Sequence, residues 1–264
     1  MRSRFTVLVL VGVLGVGVAA AVDALPERDD DTTVSAPLAG SEEAAVALRN
    51  AGVRGVITYS DERCRLHAVR LPNLKPAPAP AIESCEPHVP TGGIGAWQGD
   101  VVWSGLGFGT IQVVLPREQV GRAVGRWLGV DGLDLRAVQA VSLEGRRYAL
   151  LLEDEMHIRY LAFLEGSRVL ELYPLSQESY TLRRSPRGSY VALLTRGASV
   201  QIFTRAGAPQ RLPPVASSHA IAWSPDDDWT ALATSRSVYV FRSGEDETTL
   251  PRIPLAVRDL NWDA

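Results

Sequence analysis

From Gly52 onward, apolar and polar residues are arranged in short runs bounded by Gly, Pro, Ser and Asp. The runs Val56-Ile57-Thr58-Tyr59, Val101-Val102-Trp103-Ser104, Tyr148-Ala149-Leu150-Leu151, Tyr190-Val191-Ala192-Leu193 and Trp229-Thr230-Ala231-Leu232 are too short for helices. They are rich in β-branched and aromatic residues, so the pattern predicts strands. They begin at residues 56, 101, 148, 190 and 229, in steps of 45, 47, 42 and 39. A period near forty residues built of short strands predicts an all-β array, a β-propeller with one blade per repeat.

The last two units carry the repeat most clearly. Leu182–Thr195 lies over Ile221–Thr234 at an offset of 39 residues. Val200-Gln201-Ile202-Phe203 then matches Val238-Tyr239-Val240-Phe241, and Leu212-Pro213 matches Leu250-Pro251. Pro186 and Pro225 suit the second position of a tight turn, where the ring presets φ. Tyr190 and Trp229 are expected to pack between neighbouring blades. Leu260-Asn261-Trp262-Asp263 lines up with Ile221-Ala222-Trp223-Ser224, the opening strand of a unit. The first unit has no such strand, because Ser41–Asn50 reads as a short helix with Ser41 as its N-cap and Glu42 and Glu43 in its first turn. The expected architecture is therefore five blades, with the C-terminal strand joining the blade that holds Val56 and closing the ring. An open array is the alternative.

One segment breaks the rhythm. Pro116–Leu128 places Val120, Val124, Trp127 and Leu128 on one helical face, while Gly121 and Gly125 lower its helix propensity. It reads as an insertion between the second and third blades that covers an edge or contacts a partner.

The N-terminus follows a different pattern. Arg2 and Arg4 precede an uncharged run from Phe5 to Val22 rich in Val, Leu and Gly. Such a run sends a chain across a membrane, with the basic end retained in the cytoplasm. Ala19-Ala20-Ala21 suits a cleavage site, so residues 1–22 read either as a removed signal peptide or as an uncleaved membrane anchor. Residues 23–50 form a polar linker with the short helix, and residues 51–264 form the β domain. The domain is then extracytoplasmic, anchored or secreted, and the resemblance described below implies a bacterial cell envelope. Cys64 and Cys85 fit that compartment as a disulfide, which a hairpin would bring together; two buried thiols are the other reading.

A formal net charge of −3 gives no electrostatic footprint for nucleic acid. The chain has no Gly-x-Ser-x-Gly elbow, and Gly105-Leu106-Gly107-Phe108-Gly109 lacks phosphate-loop spacing and reads as a blade turn. His67, His88, His157 and His219 show no ligand-pair spacing. Glu153-Asp154-Glu155 and Asp226-Asp227-Asp228 read as solvated turn residues, with a calcium site as the sharper alternative. No catalytic, cofactor or metal site is assigned.

The Trp223-Ser224-Pro225-Asp226 turn followed by Ala231-Leu232-Ala233 resembles the WD40-like repeats of TolB-type bacterial propellers, over roughly residues 178–255. Asp227 stands where that pattern has Gly, and the earlier copy has Arg184 for Trp and Arg187 for Asp. The resemblance implies a propeller outside the cytoplasm that serves as a protein-interaction platform, and it transfers no catalytic residues. The expected function is a platform binding an envelope protein or a cell-surface polysaccharide. The alternative is a five-bladed glycoside hydrolase or carbohydrate-binding propeller. Its chemistry needs two converging carboxylates, for which Glu144, Asp259 and Asp263 are the nearest candidates.

Overall fold

Strand-length apolar runs separated by turn residues give the chain two helices and nineteen strands among the described residues. The computed structural model describes residues 41–79, 97–98, 101–106, 109–113, 117–131, 133–176, 180–195, 200–212, 217–245 and 251–263. In chain order the elements begin with α1 (Ser41–Asn50), β1 (Gly55–Ser60), β2 (Leu66–Leu71) and β3 (Lys75–Ala77). Next come β4 (Trp97–Gln98), β5 (Val101–Leu106), β6 (Gly109–Val113) and α2 (Arg117–Leu128). The strands β7 (Leu135–Leu143), β8 (Arg147–Asp154), β9 (Arg159–Glu165) and β10 (Arg168–Leu175) follow. After them lie β11 (Tyr180–Arg184), β12 (Tyr190–Thr195), β13 (Val200–Thr204) and β14 (Pro209–Gln210). The chain continues through β15 (Ala220–Trp223), β16 (Trp229–Ala233), β17 (Val238–Arg242), β18 (Arg252–Ile253) and β19 (Asp259–Asp263).

The strands make five antiparallel sheets among the described residues, four of them four-stranded. Four run in chain order: β4-β5-β6, β7-β8-β9-β10, β11-β12-β13-β14 and β15-β16-β17-β18. The remaining one, here the first sheet, is β19-β1-β2-β3. Here β19 pairs with β1, from Val56 opposite Asp263 to Ser60 opposite Asp259. The C-terminal strand thus supplies the opening strand that the first unit lacks. The five strands predicted at 56, 101, 148, 190 and 229 are each the second strand of their sheet. Leading strands lie beside one another, β15 next to β19 and β7 next to β11, and Arg183 of β11 donates to the Ile221 carbonyl of β15 at 3.2 Å. Successive meanders with neighbouring leading strands and a last strand that completes the first sheet are propeller topology.

Period-2 alternation sets the packing between sheets. On β8, Ala149 and Leu151 enter a core shared with Leu182, Val191 and Leu193 of the fourth sheet. Leu150 and Leu152 turn the other way, into a core with Val120 and Val124 of α2. Helix α2 therefore covers a face of the third sheet. Its buried side is Val120, Gly121, Val124 and Gly125, a correction to the expected apolar face, since Trp127 is 50% and Leu128 39% exposed. The glycines are there for contact. A Cβ on Gly121 would lie 2.7 Å from the Leu133 carbonyl oxygen, and one on Gly125 2.7 Å from that of Val130. The segment after α2 folds back along it at a separation only glycine allows. Helix α1 buries Ala44 and Leu48 in the core formed by the first and fifth sheets, beside β2 and β18.

The rhythm of the repeats set Tyr148 level with Tyr190, but the two face differently. Tyr190 packs in the core between the fourth and fifth sheets, whereas Tyr148 packs on the α2 side of its own sheet. A shift of one residue exchanges the two faces of a strand, so the third unit is out of phase with the fourth by one position. The N-terminal apolar run lies outside the described residues. Among the described residues no helix is long and apolar enough to cross a membrane.

Candidate functional site

The duplicated Ser-Pro segments form two equivalent turns. The Gly188 amide donates to the Ser185 carbonyl at 3.0 Å and the Asp227 amide to the Ser224 carbonyl at 2.9 Å, which places Pro186 and Pro225 second in each turn. Each serine hydroxyl accepts from the amide that starts the next strand, Tyr190 on Ser185 at 3.0 Å and Trp229 on Ser224 at 2.9 Å. The fourth turn position needs a left-handed backbone, with φ of 79° at Gly188 and 64° at Asp227. Glycine meets that need freely and Asp is among the residues that tolerate it. The departure from the repeat pattern has a purpose. The buried Asp227 carboxylate accepts from the Ser185 hydroxyl at 2.6 Å and from the Arg187 and Ser189 amides at 3.1 Å each. It caps the turn of the preceding repeat and fastens the fifth sheet to the fourth. Gly188 takes the same place one repeat earlier, where its carbonyl accepts from the Glu144 amide at 3.3 Å.

The carboxylates named for hydrolytic chemistry occupy separate structural pairs. Asp259 of β19 lies 2.8 Å from Arg183, Glu144 is bound to Arg205, and Asp263 accepts from the Thr58 hydroxyl at 3.1 Å. The two acidic runs are not uniformly solvated, which corrects the expectation from sequence. Glu153, Asp154 and Asp227 are all buried. Glu153 is bound by Arg159 at 2.9 Å, His157 at 3.2 Å and Arg136 at 2.9 Å. The hydrogen bonds from Arg159 and His157, aided by the charges of Arg136 and Arg159, hold its carboxyl below the ordinary value against the opposing effect of burial. Asp154 accepts from the Met156 and Ile158 amides at 2.9 and 2.8 Å, fixing the β8–β9 turn. Burial, then the Asp154 charge, raises the Tyr160 phenol that donates to it. Among the described residues no group of three His, Cys, Asp or Glu side chains is placed to hold a metal.

The remaining predicted residues are dispersed. His67 contacts Asp61 and stacks on Tyr59, and a ring nitrogen of His219 lies 2.8 Å from the Val257 carbonyl. His88 lies outside the described residues. So does Cys85, while Cys64 sits in the β1–β2 connection with its Sγ 3.4 Å from an Arg258 guanidinium nitrogen.

Three surface features are candidates for binding. The first is apolar exposure at the end of α2, where Trp127, Leu128 and Val130 are 50%, 39% and 44% exposed. The second is a hollow of about 350 Å³ at the Ser-Pro turns, lined by Arg54, Arg187, Asp226 and Trp229 among others. The third is a cleft of about 700 Å³ between the third and fourth sheets, walled by Tyr173, Leu175, Tyr180, Ile202, Phe203 and Leu212, with Gln210 on its lining. Sequence reading missed this cleft, because its walls belong to two units and no motif joins them.

No protein-family model matches the chain, and no curated protein matches it either. Among solved structures it is similar to the Cps50 (Swd1) β-propeller domain of Myceliophteria thermophila, at 10% identity and a TM-score of 0.36, over 78% of this chain and 72% of that one. It is also similar to Hsv2p of Kluyveromyces lactis, at 16% identity and a TM-score of 0.32, over 69% of this chain and 56% of that one. A third similar structure is hydrazine synthase of Kuenenia stuttgartiensis, at 12% identity and a TM-score of 0.30, over 70% of this chain and 60% of that one. The chain spans less than two thirds of the length of the last two.

Proposed function

We propose that this chain is a five-bladed, protein-binding platform held on the outer side of a bacterial cytoplasmic membrane. The observation that carries it is the exposure of Trp127, Leu128 and Val130 within four residues of one another. Large apolar side chains grouped on a surface mark interaction sites, and tryptophan is enriched among the residues that dominate binding energy. Helix α2 is anchored to the third sheet through Val120 and Val124, so its end is held on a rigid support. The partner is an envelope protein, with a cell-surface polysaccharide as the other class. The extracytoplasmic placement is supported by Arg2, Arg4 and the apolar run to Val22, and a Cys64–Cys85 disulfide belongs to the same reading.

A photo-crosslinking residue at position 128 of the full chain, expressed in its envelope, is expected to give a discrete protein adduct that Trp127→Glu removes. Absence of an adduct from positions 127, 128 and 130 alike withdraws the reading, and an adduct with glycan alone replaces the protein partner. Alkaline phosphatase fused after Ala264 is expected to be active, and cysteine labelling of the denatured chain is expected only after reduction.

A further inference from the structure

We infer that the hollow at the Ser-Pro turns is a binding site for a carboxylate-bearing pyranose, an acidic sugar taken free or as one residue of a glycan. Arg54 and Arg187 hold its carboxylate, Asp226 its hydroxyls and the Trp229 ring its face. The site shares no residue with the exposed end of α2, and it does not rest on the protein-platform reading.

The hollow has a volume of about 350 Å³, at the small end of ligand sites and enough for one substituted ring. Its wall draws on the first, fourth and fifth sheets. Arg187 comes from the turn before β12, Asp226 from the turn before β16, Trp229 from the first residue of β16, and Arg54 from the residue before β1. Gly55 keeps the wall beside Arg54 bare, because a side chain there would strike the Trp262 indole. Trp229 is half-buried. It packs against the core of the first and fifth sheets and lines the hollow with its remaining surface. An aromatic surface so placed can take the C–H face of a sugar ring out of water.

The charged groups select the ligand. Arg54 and Arg187 are exposed, and among the described residues neither guanidinium makes a hydrogen bond or an ion pair. Such groups suit a carboxylate, which they bind through paired, charge-assisted hydrogen bonds. Asp226 is the third charge. Its Oδ1 accepts from the Ser224 hydroxyl, and from the Asp228 amide at 3.2 Å. Among the described residues, no other residue donates to its Oδ2. The Ser224 hydrogen bond foremost, with the Asp228 amide and the Arg187 charge, holds this carboxyl below the ordinary value against the effect of burial. Its second oxygen is therefore an acceptor in need of a donor. The described lining carries two positive charges and one negative, which a monoanion balances. A phosphate group brings close to two negative charges, more than this lining offsets. A sugar acid brings one, together with hydroxyls that donate to a carboxylate.

The test is saturation-transfer NMR on the purified full chain with methyl β-D-glucuronide. Transfer to the ring protons is expected. Arg54→Gln and Arg187→Gln are each expected to weaken binding about tenfold with Tm unchanged, and if one of them fails to fold the other decides. Tighter binding of a glucuronate-containing tetrasaccharide supports the glycan form of the ligand, and equal binding supports the free sugar. Absence of transfer overturns the proposal, as does equal binding of methyl β-D-glucoside, which lacks the carboxylate. Equal binding of N-acetylglycine, a carboxylate without the ring, overturns it in favour of an acidic peptide. Undiminished binding in both arginine variants overturns it too, and so does a marked fall in Tm in both, which would mean that the guanidinium groups are engaged within the fold. A negative result here with the Trp127-dependent crosslink retained removes the hollow and leaves the platform reading standing.

Discussion

Asp227 shows how a departure from a repeat pattern can be the informative residue. Its backbone adopts the conformation that glycine adopts at position 188, and its side chain then does what glycine cannot, accepting three hydrogen bonds from the preceding turn. Asp227→Gly keeps the backbone and loses the carboxylate, so it should cost about 3 kcal/mol in urea denaturation. Asp227→Ala should cost about 1 kcal/mol more, because it adds a Cβ at positive φ. Equal costs would show that the backbone conformation carries no penalty. Glu153 gives a pH signature. Its folded carboxyl titrates below the ordinary glutamate range, so its contribution is complete above the unfolded-state value and is lost as pH falls through the folded one. As pH falls below about 5, Glu153→Gln should lose less stability than the wild-type chain, at the expense of lower stability at neutral pH. Parallel slopes in the two proteins would remove Glu153 from the acid transition. The positive φ at position 227 follows from the alignment with Gly188, but the burial of Glu153 does not, because Arg136 reaches it from the neighbouring strand β7.

At the scale of elements, α2 inverts the usual reading of glycine. Gly121 and Gly125 lower helix propensity, and alanine at either position would ordinarily add about 1 kcal/mol of stability. Here the new Cβ meets a backbone carbonyl oxygen at 2.7 Å. Overpacking of this kind typically costs about 1–3 kcal/mol, so both Gly121→Ala and Gly125→Ala are expected to lower the denaturation midpoint. A rise in either would mean that the 129–134 segment moves away at little cost. Helix α2 was legible from its apolar spacing, while the direction of Trp127 was not, since periodicity identifies an apolar stripe and cannot say what lies opposite each part of it. The β10 edge shows a related limit. Its bulge between Val169 and Glu171 and its proline at 174 blunt a long outer strand, and neither is informative until the strand is known to be outermost.

For the whole molecule, closure depends on two residues about two hundred positions apart in sequence. The Trp262 indole nitrogen donates to the Arg54 carbonyl at 3.2 Å, and a Cβ on Gly55 would lie 2.3 Å from that nitrogen. Gly55→Ala is therefore expected to displace β19 and lower stability by about 3 kcal/mol or more, since the backbone at Gly55 also has φ of 123°. Hydrogen exchange should then quicken at the amides of β1 and β19 together; unchanged protection would show that the seam tolerates a side chain. The closing strand was readable because Trp262 repeats the place of Trp223, whereas the role of Gly55 was not, because it depends on a contact between opposite ends of the domain. This arrangement also fixes an order of events in time. The sheets from β4 to β18 each pair neighbouring strands and can assemble as they are synthesised. The sheet containing β1 stays without its inner strand until residue 259 and those after it are available. Joining ends so distant carries the loop-closure cost that slows folding. If the chain is threaded across a membrane from its N-terminus, as proposed above, it would stay unlocked throughout its passage and set its final shape on the far side, after the last strand has crossed.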